Sequence, residues 1–252
     1  MKKKKILGLI PVRLNSSRLN QKSLLLIKKI PLIIHTYRRA KLSKKLDDVI
    51  ICCDDKKILK VAKKFNAKAI ITSKKHKNGT ERIYEAYKKI KKNYDYVIDI
   101  QGDEPLINPQ QIDNVIKFHL KNKDSDIILP SMSLKNISSY NIVKVVADKK
   151  GRVLYLSRSK IPHNFKRNED YYLKHLSIIS FKPEALKKFS MEKVSRLEKI
   201  EGVELLRAIE IGLKVYTTII KGNSFSVDIK EDFLKAKRFM EKDKLFKIYE
   251  KK

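Results

Sequence analysis

The chain has 252 residues, of which 42% are hydrophobic and 35% are charged, with only seven glycines and seven prolines. This composition excludes collagen-like, Pro/Gly low-complexity and disulfide-scaffold proteins, and it is apolar enough to build a core. The net charge is +31, from 59 basic and 28 acidic residues. Because 31 basic residues lie in 1–126 and 28 in 127–252, this even spread favours a lysine-coated surface over a nucleic-acid footprint.

In the first half of the chain, short apolar runs typical of buried strands alternate with stretches of helical periodicity. The predicted strands are 6–11, 48–53, 67–72, 94–100 and 126–132, and the predicted helices are 31–41, 56–65, 80–92 and 109–123. Asn108 and Pro109 fit the N-cap and first position of the last helix. The alternation favours βαβ units and a parallel sheet, in which ligands bind beyond the carboxyl ends of the strands.

The second half of the chain has a different pattern, with several strands that no regular helix separates. The predicted strands are 142–147, 153–157, 176–181 and 215–220, and the predicted helices are 183–189, 201–211 and 230–242. We interpret 131–220 as a smaller mixed α/β lobe carried on the sheet rather than an independent domain. The predicted fold class is therefore α/β, with a mainly parallel central sheet, helices on both faces and this mixed lobe.

The two cysteines, Cys52 and Cys53, are adjacent and lie inside an apolar run. Their arrangement matches neither a disulfide framework nor a paired metal-binding motif, and it fits a reducing cytoplasm. The apolar run after the first lysines ends at Arg13, with no signal cleavage motif after it. No apolar stretch approaches the roughly 20 residues of a membrane span, so we expect a cytoplasmic protein without membrane insertion.

The loop after the first predicted strand is basic and rich in hydroxyl groups. Arg13, Ser17, Arg18 and Lys22 follow the carboxyl end of that strand. The segment matches neither a Rossmann glycine fingerprint nor a Walker loop. Arginine forks and backbone N–H groups bind phosphate oxygens, so this loop is a candidate anion site. The alternative is a solvated surface loop, which the general basicity of the chain also fits.

Acidic side chains follow the predicted strand 94–100 directly, in the segment Gln101-Gly102-Asp103-Glu104-Pro105. Gly102 permits a tight bend and Pro105 favours an extended residue before it, so acidic groups are expected beyond the sheet edge. A carboxylate there suits Mg²⁺, which is usually held by one or two carboxylates and substrate phosphates. The alternative is an ordinary acidic turn.

Two further segments each permit a structural and a functional interpretation. Asp228 precedes the predicted helix 230–242, so it fits either an N-cap or a second metal carboxylate. The segment 77–82 contains Gly79, Thr80 and Arg82, which fit a tight turn and helix cap, or a backbone that reads a base at the sheet edge.

Seven motifs, in order over about residues 6–240, resemble those of the 3-deoxy-manno-octulosonate cytidylyltransferases (CMP-Kdo synthetases). They are Ile10-Pro11-Val12-Arg13 with Ser17-Arg18-Leu19 and Lys22, Asn78-Gly79-Thr80-Glu81-Arg82, Gln101-Gly102-Asp103-Glu104-Pro105, Val143-Lys144-Val145-Val146, Ser157-Arg158 with Ile161-Pro162, Lys174-His175-Leu176, and Val227-Asp228. The resemblance implies a nucleotide-diphospho-sugar transferase (Rossmann-like) fold and a single catalytic domain over 1–252. It also implies a homodimer with contacts through the second lobe.

The implied reaction joins CTP and a 3-deoxy-2-ulosonic acid to give a CMP-sugar and pyrophosphate, with Mg²⁺, for lipopolysaccharide assembly. Carried over by position, the expected nucleotide-binding residues are Pro11, Val12, Arg13, Ser17, Arg18, Lys22, Gly79, Thr80, Arg82 and Gln101. The expected sugar-acid ligands are Gln101, Arg158, His175 and Glu204. Asp103 and Asp228 are expected to hold Mg²⁺ and, with Lys22, to act in catalysis.

The chain departs from the family pattern mainly at the expected sugar pocket. Ile179 and Leu205 stand where the family has Tyr and Gln, and a basic residue near Arg167 is shifted. Asn20-Gln21 replaces the Pro-Gly usual before Lys22. Losing two hydrogen-bonding side chains weakens discrimination among hydroxylated substrates, which suggests an amino or deoxy variant of the sugar acid.

Two alternatives remain open at the level of sequence. One is a cytidylyltransferase for another acid, such as a nonulosonate, although such relatives usually have a Gly-rich first loop. The other is a nucleic-acid-binding module on a degenerate transferase fold, since fold alone does not guarantee function. The presence of Arg13, Lys22, Asp103 and Asp228 argues against degeneracy, so CTP and a sugar acid are the expected partners and nucleic acid is not.

Overall fold

The computed structural model describes residues 3–135, 139–165, 171–222 and 225–250. The chain forms two compact units, Met1–Asp113 with Asn223–Lys252, and Asn114–Gly222. We call them the first and second unit.

The elements in the described ranges are named in chain order. The strands are β1 Ile6–Val12, β2 Leu26–Ile27, β3 Ile30–Pro31, β4 Asp48–Cys53, β5 Ala69–Ile71, β6 Tyr96–Ile100, β7 Ile127–Lys135, β8 Lys144–Ala147, β9 Val153–Ser157, β10 Tyr171–His175, β11 Ile178–Phe181 and β12 Val215–Ile219. The helices are α1 Leu32–Ala40, α2 Lys56–Lys64, α3 Gly79–Lys89, α4 Pro109–Lys121, α5 Pro183–Met191, α6 Arg196–Glu201, α7 Leu205–Glu210, α8 Lys230–Glu241 and α9 Phe246–Tyr249.

The first unit is built on a parallel sheet in the order β5-β4-β1-β6. β1 is buried along its whole length, because β4 and β6 flank it and α1 and α3 pack on it. Continuous apolar runs are typical of strands covered in this way. Since all four strands run the same direction, the segments after β1, β4, β5 and β6 emerge at one edge of the sheet. The predicted βαβ organisation is confirmed.

Helix α1 carries a buried polar cluster that anchors the segment after β6. Arg39 is 1% exposed and its Nη1 donates to Leu106 O at 3.2 Å and Ile107 O at 3.1 Å. Its Nη2 lies 2.5 Å from Asp243 Oδ1. The Tyr249 hydroxyl lies 3.0 Å from His35 Nδ1, so the end of the described chain also packs on α1.

The second unit contains a mixed sheet centred on β7. β12 pairs with β7 in parallel, and β10 and β11 pair with it in antiparallel fashion. β8 lies antiparallel to both β10 and β9. The predicted mixed α/β character of this part of the chain is confirmed, and so is the α/β fold class.

Most predicted elements match the structure, and β4 and β9 have the predicted bounds. The predicted helix over 201–211 is confirmed only as α7, Leu205–Glu210. A separate helix, α6, precedes it, with a capping box at Ser195, and Gly202, with φ of 61°, ends that helix. A left-handed glycine is a common helix terminator.

The sequence pattern missed two sheet features. Strand β10 was overlooked because Lys174 and His175 interrupt its apolar pattern. The β2–β3 hairpin was overlooked because Lys28 and Lys29 adopt the positive φ angles of its turn, which Asn-Gly or Gly-Gly usually occupy.

Among the described residues, no helix has the length and apolar character needed to cross a membrane.

Three histidines with lowered pKa values should make the folded chain sensitive to mild acid. Burial lowers the pKa of His35, His119 and His175 to about 4 each, against roughly 6.5 in the unfolded chain. As the pH falls from 6.5 to 4, the unfolded chain therefore takes up more protons than the folded chain. We expect the free energy of unfolding, measured with urea, to fall by more than about 2 kcal/mol between pH 7 and pH 4.5.

The window from pH 7 to 8.5 provides the control, since histidines do not titrate there and no comparable slope is expected. A His119→Gln variant should show a shallower acid slope than the wild type. Equal free energies of unfolding at pH 7 and pH 5 would contradict the assignment.

Candidate active site

A cavity of about 280 Å³ opens beyond the carboxyl ends of β1 and β6 in the first unit. Its walls include all but one of the residues expected to bind the nucleotide, together with both expected metal ligands: Pro11, Val12, Arg13, Ser17, Arg18, Lys22, Gly79, Arg82, Gln101, Asp103 and Asp228. The exception is Thr80, which is fully buried with a hydroxyl that has no hydrogen-bond partner. The structure thus brings together groups from four separate segments.

The basic loop after β1 is held at both ends. Leu14 N donates to Asp54 Oδ1 at 2.9 Å, which ties the start of the loop to the segment after β4. Gln21 has φ of 46°, a left-handed conformation that favours glycine. Lys22 follows at the start of a 3-10 turn. The chain therefore keeps the turn before Lys22 although glycine is absent.

The segment after β6 lies close against β1, and Gly102 makes this possible. A Cβ at Gly102 would lie 2.8 Å from Pro11 O, a distance that would force the backbone apart. Thr36 Oγ1 on α1 donates to Gly102 O at 3.3 Å. Glu104 N also donates to Gln101 O at 3.3 Å, so the predicted tight bend at Gly102 is confirmed, and the close approach to Pro11 is a further reason for a glycine here.

Two carboxylates converge on the ammonium of Lys22. Its Nζ lies 2.8 Å from Asp103 Oδ2 and 3.2 Å from Asp228 Oδ1. Val227 N donates to Asp103 O at 2.9 Å, so a backbone hydrogen bond joins the two segments that carry the carboxylates. Arg18 Nη2 also lies 2.8 Å from Asp228 Oδ1. The result is a charged cluster on one wall of the cavity.

The N-cap interpretation of Asp228 is wrong. Helix α8 begins at Lys230, and the Asp232 carboxylate accepts hydrogen bonds from Asp228 N at 3.1 Å and Ile229 N at 3.2 Å. The Asp228 side chain is thereby left to face the cavity. Of the two acidic residues that follow Gly102, only Asp103 also lines the cavity. Glu104 is buried at 3% exposure and is absent from the cavity wall.

Arg82 and Gln101 line the cavity with much of their hydrogen-bonding capacity already used. Arg82 is 4% exposed, and its guanidinium donates to Thr72 Oγ1 at 2.8 Å and Ser73 O at 3.2 Å. Gln101 Nε2 donates to both carboxylate oxygens of Asp99, at 3.1 and 3.0 Å. Both side chains therefore fix the cavity wall.

The segment between β5 and α3 supplies another part of that wall. Asn78 caps α3, and its side chain accepts from Glu81 N at 2.8 Å. Gly79, the first residue of α3, lines the cavity, and a Cβ at this position would lie 3.2 Å from Pro11 Cγ. A helix cap in 77–82 is confirmed, although Asn78 forms it and the expected Gly79 and Thr80 are the first residues of α3. Base recognition by this backbone stays a prediction.

The cluster of Asp103 and Asp228 has the donor chemistry that Mg²⁺ requires. Both carboxylates reach the same ammonium, so one small cation already bridges their oxygens. No group of three or more His, Cys, Asp or Glu side chains suited to a metal occurs among the described residues. Two carboxylates without further protein ligands fit Mg²⁺, which completes its shell with phosphate oxygens and water.

A second cavity, of about 160 Å³, lies in the second unit. His175, Ile179, Glu204 and Leu205 contribute to its walls, together with Val143, Gly202 and Val203. Burial, and to a lesser extent Lys174, lowers the pKa of His175 to about 4, so its imidazole is neutral near pH 7. Its Nε2 is buried without a hydrogen-bond partner. The cavity therefore offers the buried Nε2 of His175, beside the Glu204 carboxylate, within mostly apolar walls.

Arg158 does not line this cavity. Its Nε donates to Glu201 O at 2.9 Å, and its Nη2 donates to Gly202 O at 3.2 Å. Its Nη1 donates to Tyr140 O at 3.1 Å and Asn141 O at 3.4 Å. Arg158 thus joins the backbone at 140–141 to the backbone at 201–202, next to the cavity wall. The shifted basic residue near Arg167 lies outside the described residues.

Comparison with known proteins identifies the family. A family model described as "Cytidylyltransferase" matches residues 7–218. The chain belongs to the cytidylyltransferase family. A 3-deoxy-manno-octulosonate cytidylyltransferase from Thermodesulfovibrio yellowstonii is 40% identical over 245 residues, covering 91% of this chain and 95% of the relative. The relative of the same name from Rickettsia prowazekii is 37% identical over 246 residues, covering 96% and 98%.

A solved structure supports the same assignment. It is titled as CMP:2-keto-3-deoxy-manno-octonic acid synthetase complexed with CTP, and it matches with a TM-score of 0.88 and 30% identity, over 94% of this chain and 98% of that one. The resemblance inferred from the motifs is confirmed, and the chain is a nucleotidyltransferase. Its fold is that of the cytidylyltransferases.

Several residues of the nucleotide-side cavity of this cytidylyltransferase were not among the expected ligands. They include Ser23, Leu32 and His76. Ser23 is buried with an unpartnered Oγ, and its position beside Lys22 was the available signal. His76 Nε2 contacts Glu85 Oε2. Glu85 lies nine residues further along the chain, so no local sequence pattern pointed to His76.

Proposed function

We propose that this chain transfers the cytidylyl group of CTP to a 3-deoxy-2-ulosonic acid, manno-octulosonate or a close variant, for lipopolysaccharide synthesis. The observation that carries the proposal is the junction of the basic loop with Asp103 and Asp228 through Lys22 in one cavity. Polyphosphate and a divalent cation are the ligands that such a cluster suits. The assignment of the nucleotide as CTP and of the acceptor as a sugar acid rests on the names of the relatives.

The proposed reaction is an in-line transfer at the α-phosphorus of CTP. The anomeric hydroxyl oxygen forms a bond to that phosphorus as it loses its proton, and the bond to the oxygen of the leaving pyrophosphate breaks. Such transfers depend on positioning and charge neutralisation more than on covalent catalysis. Arg13, Arg18 and Lys22 are the side chains placed to bind the phosphate oxygens, and Gly102 allows the loop with Asp103 to lie against β1.

Asp103 and Asp228 would hold the Mg²⁺ of this reaction. When bound, Mg²⁺ supplies charge neutralisation on the pyrophosphate and lowers the pKa of the attacking hydroxyl. The protein contributes the fixed separation of the two carboxylates, because the hydrogen bond from Val227 N to Asp103 O joins their backbones.

The cavity of the second unit is the proposed binding place for the sugar acid. His175 is neutral, so its unpaired Nε2 can accept a hydrogen bond from a sugar hydroxyl or donate one, according to the tautomer. To bind the sugar carboxylate as expected, Arg158 Nη1 must give up its hydrogen bonds to the Tyr140 and Asn141 carbonyls and donate to the carboxylate instead. We assign Arg158 first to shaping the wall at Gly202.

The apolar walls support a substrate other than the plain sugar acid. Ile179 and Leu205 are 3% and 2% exposed and cannot hydrogen-bond a hydroxyl group. A substrate hydroxyl group packed against these side chains loses its hydrogen bonds to water and gains none from them, which costs free energy. An acid that lacks a hydroxyl at the matching position, or carries an amino group elsewhere, avoids that cost.

Pyrophosphate release tests both the reaction and the substrate. The purified chain is incubated with Mg²⁺, each of CTP, UTP, ATP and GTP, and each of 3-deoxy-manno-octulosonate, its 8-amino variant and a nonulosonate. We expect release with CTP, and a kcat/KM for a variant octulosonate at least equal to that for the plain acid. A strong preference for the plain acid would contradict the proposed variant substrate. Failure to release pyrophosphate with every one of the tested acids would contradict the proposed reaction.

A parallel binding measurement addresses the nucleic-acid alternative. Tight binding of duplex DNA that weakens steeply with salt, in a chain with no turnover of CTP, would favour that alternative. Weak binding beside CTP turnover is the expected result.

Assembly and location follow from the same proposal. A homodimer through the second unit fits the exposed apolar side chains Leu154 on β9 and Tyr171 on β10, at 54% and 52% exposure. A cytoplasmic location fits the nucleotide substrate and the two free thiols, Cys52 and Cys53.

A further inference from the structure

The ammonium of Lys22 occupies the position between the two carboxylates assigned to Mg²⁺. Its Nζ donates to Asp103 Oδ2 at 2.8 Å, to Asp228 Oδ1 at 3.2 Å and to Val227 O at 2.8 Å. An ammonium has three N–H donors, so these contacts use all of them. The Lys22 side chain is only 16% exposed, which leaves the ion pairs less screened than those on the surface.

Arg18 adds a second positive charge to this cluster. Its Nη2 lies 2.8 Å from Asp228 Oδ1, the oxygen that Lys22 also contacts. Two cations therefore face two carboxylates, and the formal charges cancel before any ligand binds. A divalent cation that enters this cluster must displace Lys22 from both oxygens and is repelled by the two basic side chains.

A triphosphate changes this balance. Lys22 and Arg18 lie on the same loop as Arg13, and all three line the cavity. Phosphate oxygens are strong acceptors for such groups, so a bound triphosphate competes with the carboxylates for Lys22. The carboxylates are then left without their cation, while the phosphates add the oxygen ligands that Mg²⁺ prefers.

We propose that Lys22 is an internal cation, which keeps Asp103 and Asp228 together in the free protein and excludes the metal until a nucleotide binds. The identity of that nucleotide as CTP rests on the proposed function. Metal affinity is conditional on the nucleotide, and by linkage nucleotide affinity rises by the same factor when the metal is present.

The first test measures metal binding with no nucleotide present. The full chain is titrated with Mn²⁺, and free Mn²⁺ is followed by its electron paramagnetic resonance signal. Lys22→Met should bind Mn²⁺ at least about tenfold more tightly than the wild type, because the blocking charge is gone. The double variant Lys22→Met/Asp103→Asn should lose that gain. Affinity of Lys22→Met equal to that of the wild type would overturn the proposal.

Lys68→Met is the matched control, since Lys68 also pairs with one carboxylate, Asp48 Oδ1 at 2.6 Å, but lies outside the cavity. It should leave Mn²⁺ affinity unchanged. A gain equal to that of Lys22→Met would show an effect of net charge alone and overturn the proposal.

A second test uses only the wild-type chain and so does not depend on how the variants fold. Its melting temperature is measured with Mg²⁺ alone, with CTP in EDTA, and with both. We expect no shift with Mg²⁺ alone, a rise with CTP, and the largest rise with both. A clear rise with Mg²⁺ alone would overturn the proposal. No shift with CTP in any arm, beside a gain of Mn²⁺ affinity in Lys22→Met, would reject CTP as the substrate and leave the blocking role of Lys22 supported.

Discussion

The Asp103→Asn variant is expected to release pyrophosphate at least about 100-fold more slowly than the wild type, and Asp228→Asn should show a similar loss. Each change replaces a negative carboxylate by a neutral amide, which weakens the proposed Mg²⁺ site by several kcal/mol in the transition state. Each ~1.4 kcal/mol lowers the rate about tenfold. The measurement is kcat for pyrophosphate release with CTP, Mg²⁺ and the preferred sugar acid.

Asp124→Asn is the control for this pair of variants. Asp124 pairs with Lys214, at 2.5 Å, as Asp103 pairs with Lys22, but it is 60% exposed and lies in the second unit. It should retain the wild-type rate. Near wild-type release by both Asp103→Asn and Asp228→Asn would contradict the assigned metal site and the catalytic role of these carboxylates.

The nucleotide side of the site was predictable because its parts follow strands whose signals are strong. β1 and β6 are continuous apolar runs, and parallel strands bring their carboxyl ends to one edge. The segments carrying Arg13 and Asp103 therefore had to meet. The prediction needed only local pattern and the direction of the strands.

The pairing of Asp228 with that edge was not predictable from pattern. A residue just before a helix is most often a cap, and local sequence favoured that interpretation. One local and one long-range contact decide otherwise: the Asp232 carboxylate accepts from the backbone N–H groups before α8, and Val227 N donates to Asp103 O. The second contact cannot be predicted from the residues around Asp228 alone.

Arg158 makes contacts that its motif did not predict. The resemblance implies a contact with the sugar carboxylate, which stays a prediction, and the guanidinium donates to four backbone carbonyls. Lys144 Nζ also donates to Arg158 O. A half-buried basic side chain takes the acceptors that the fold places near it, and those carbonyls come from loops whose positions no local motif encodes.

The Arg207→Met variant is expected to lower the free energy of unfolding by about 3–5 kcal/mol, and its melting temperature by about 10 °C. Arg207 is 1% exposed and forms a two-pronged pair with Glu198, Nε to Oε2 and Nη2 to Oε1, each at 2.7 Å. Its Nη1 also donates to Glu192 O at 3.1 Å. The variant keeps an apolar side chain of similar length but leaves the Glu198 carboxylate buried without its cation. Circular dichroism during thermal and urea unfolding gives both quantities.

Two further variants separate the buried charge from a general effect of losing a basic residue. Lys214→Met removes a lysine whose pair is exposed, and surface pairs contribute little, so its melting temperature should match the wild type. Arg207→Met/Glu198→Gln removes both buried charges and should recover part of the loss, because a neutral amide costs less to bury than an unpaired carboxylate. Two outcomes would contradict the role of the buried pair in holding α6, α7 and the end of α5 together. One is an equal melting temperature for Arg207→Met and Lys214→Met. The other is a double variant that is less stable than Arg207→Met alone.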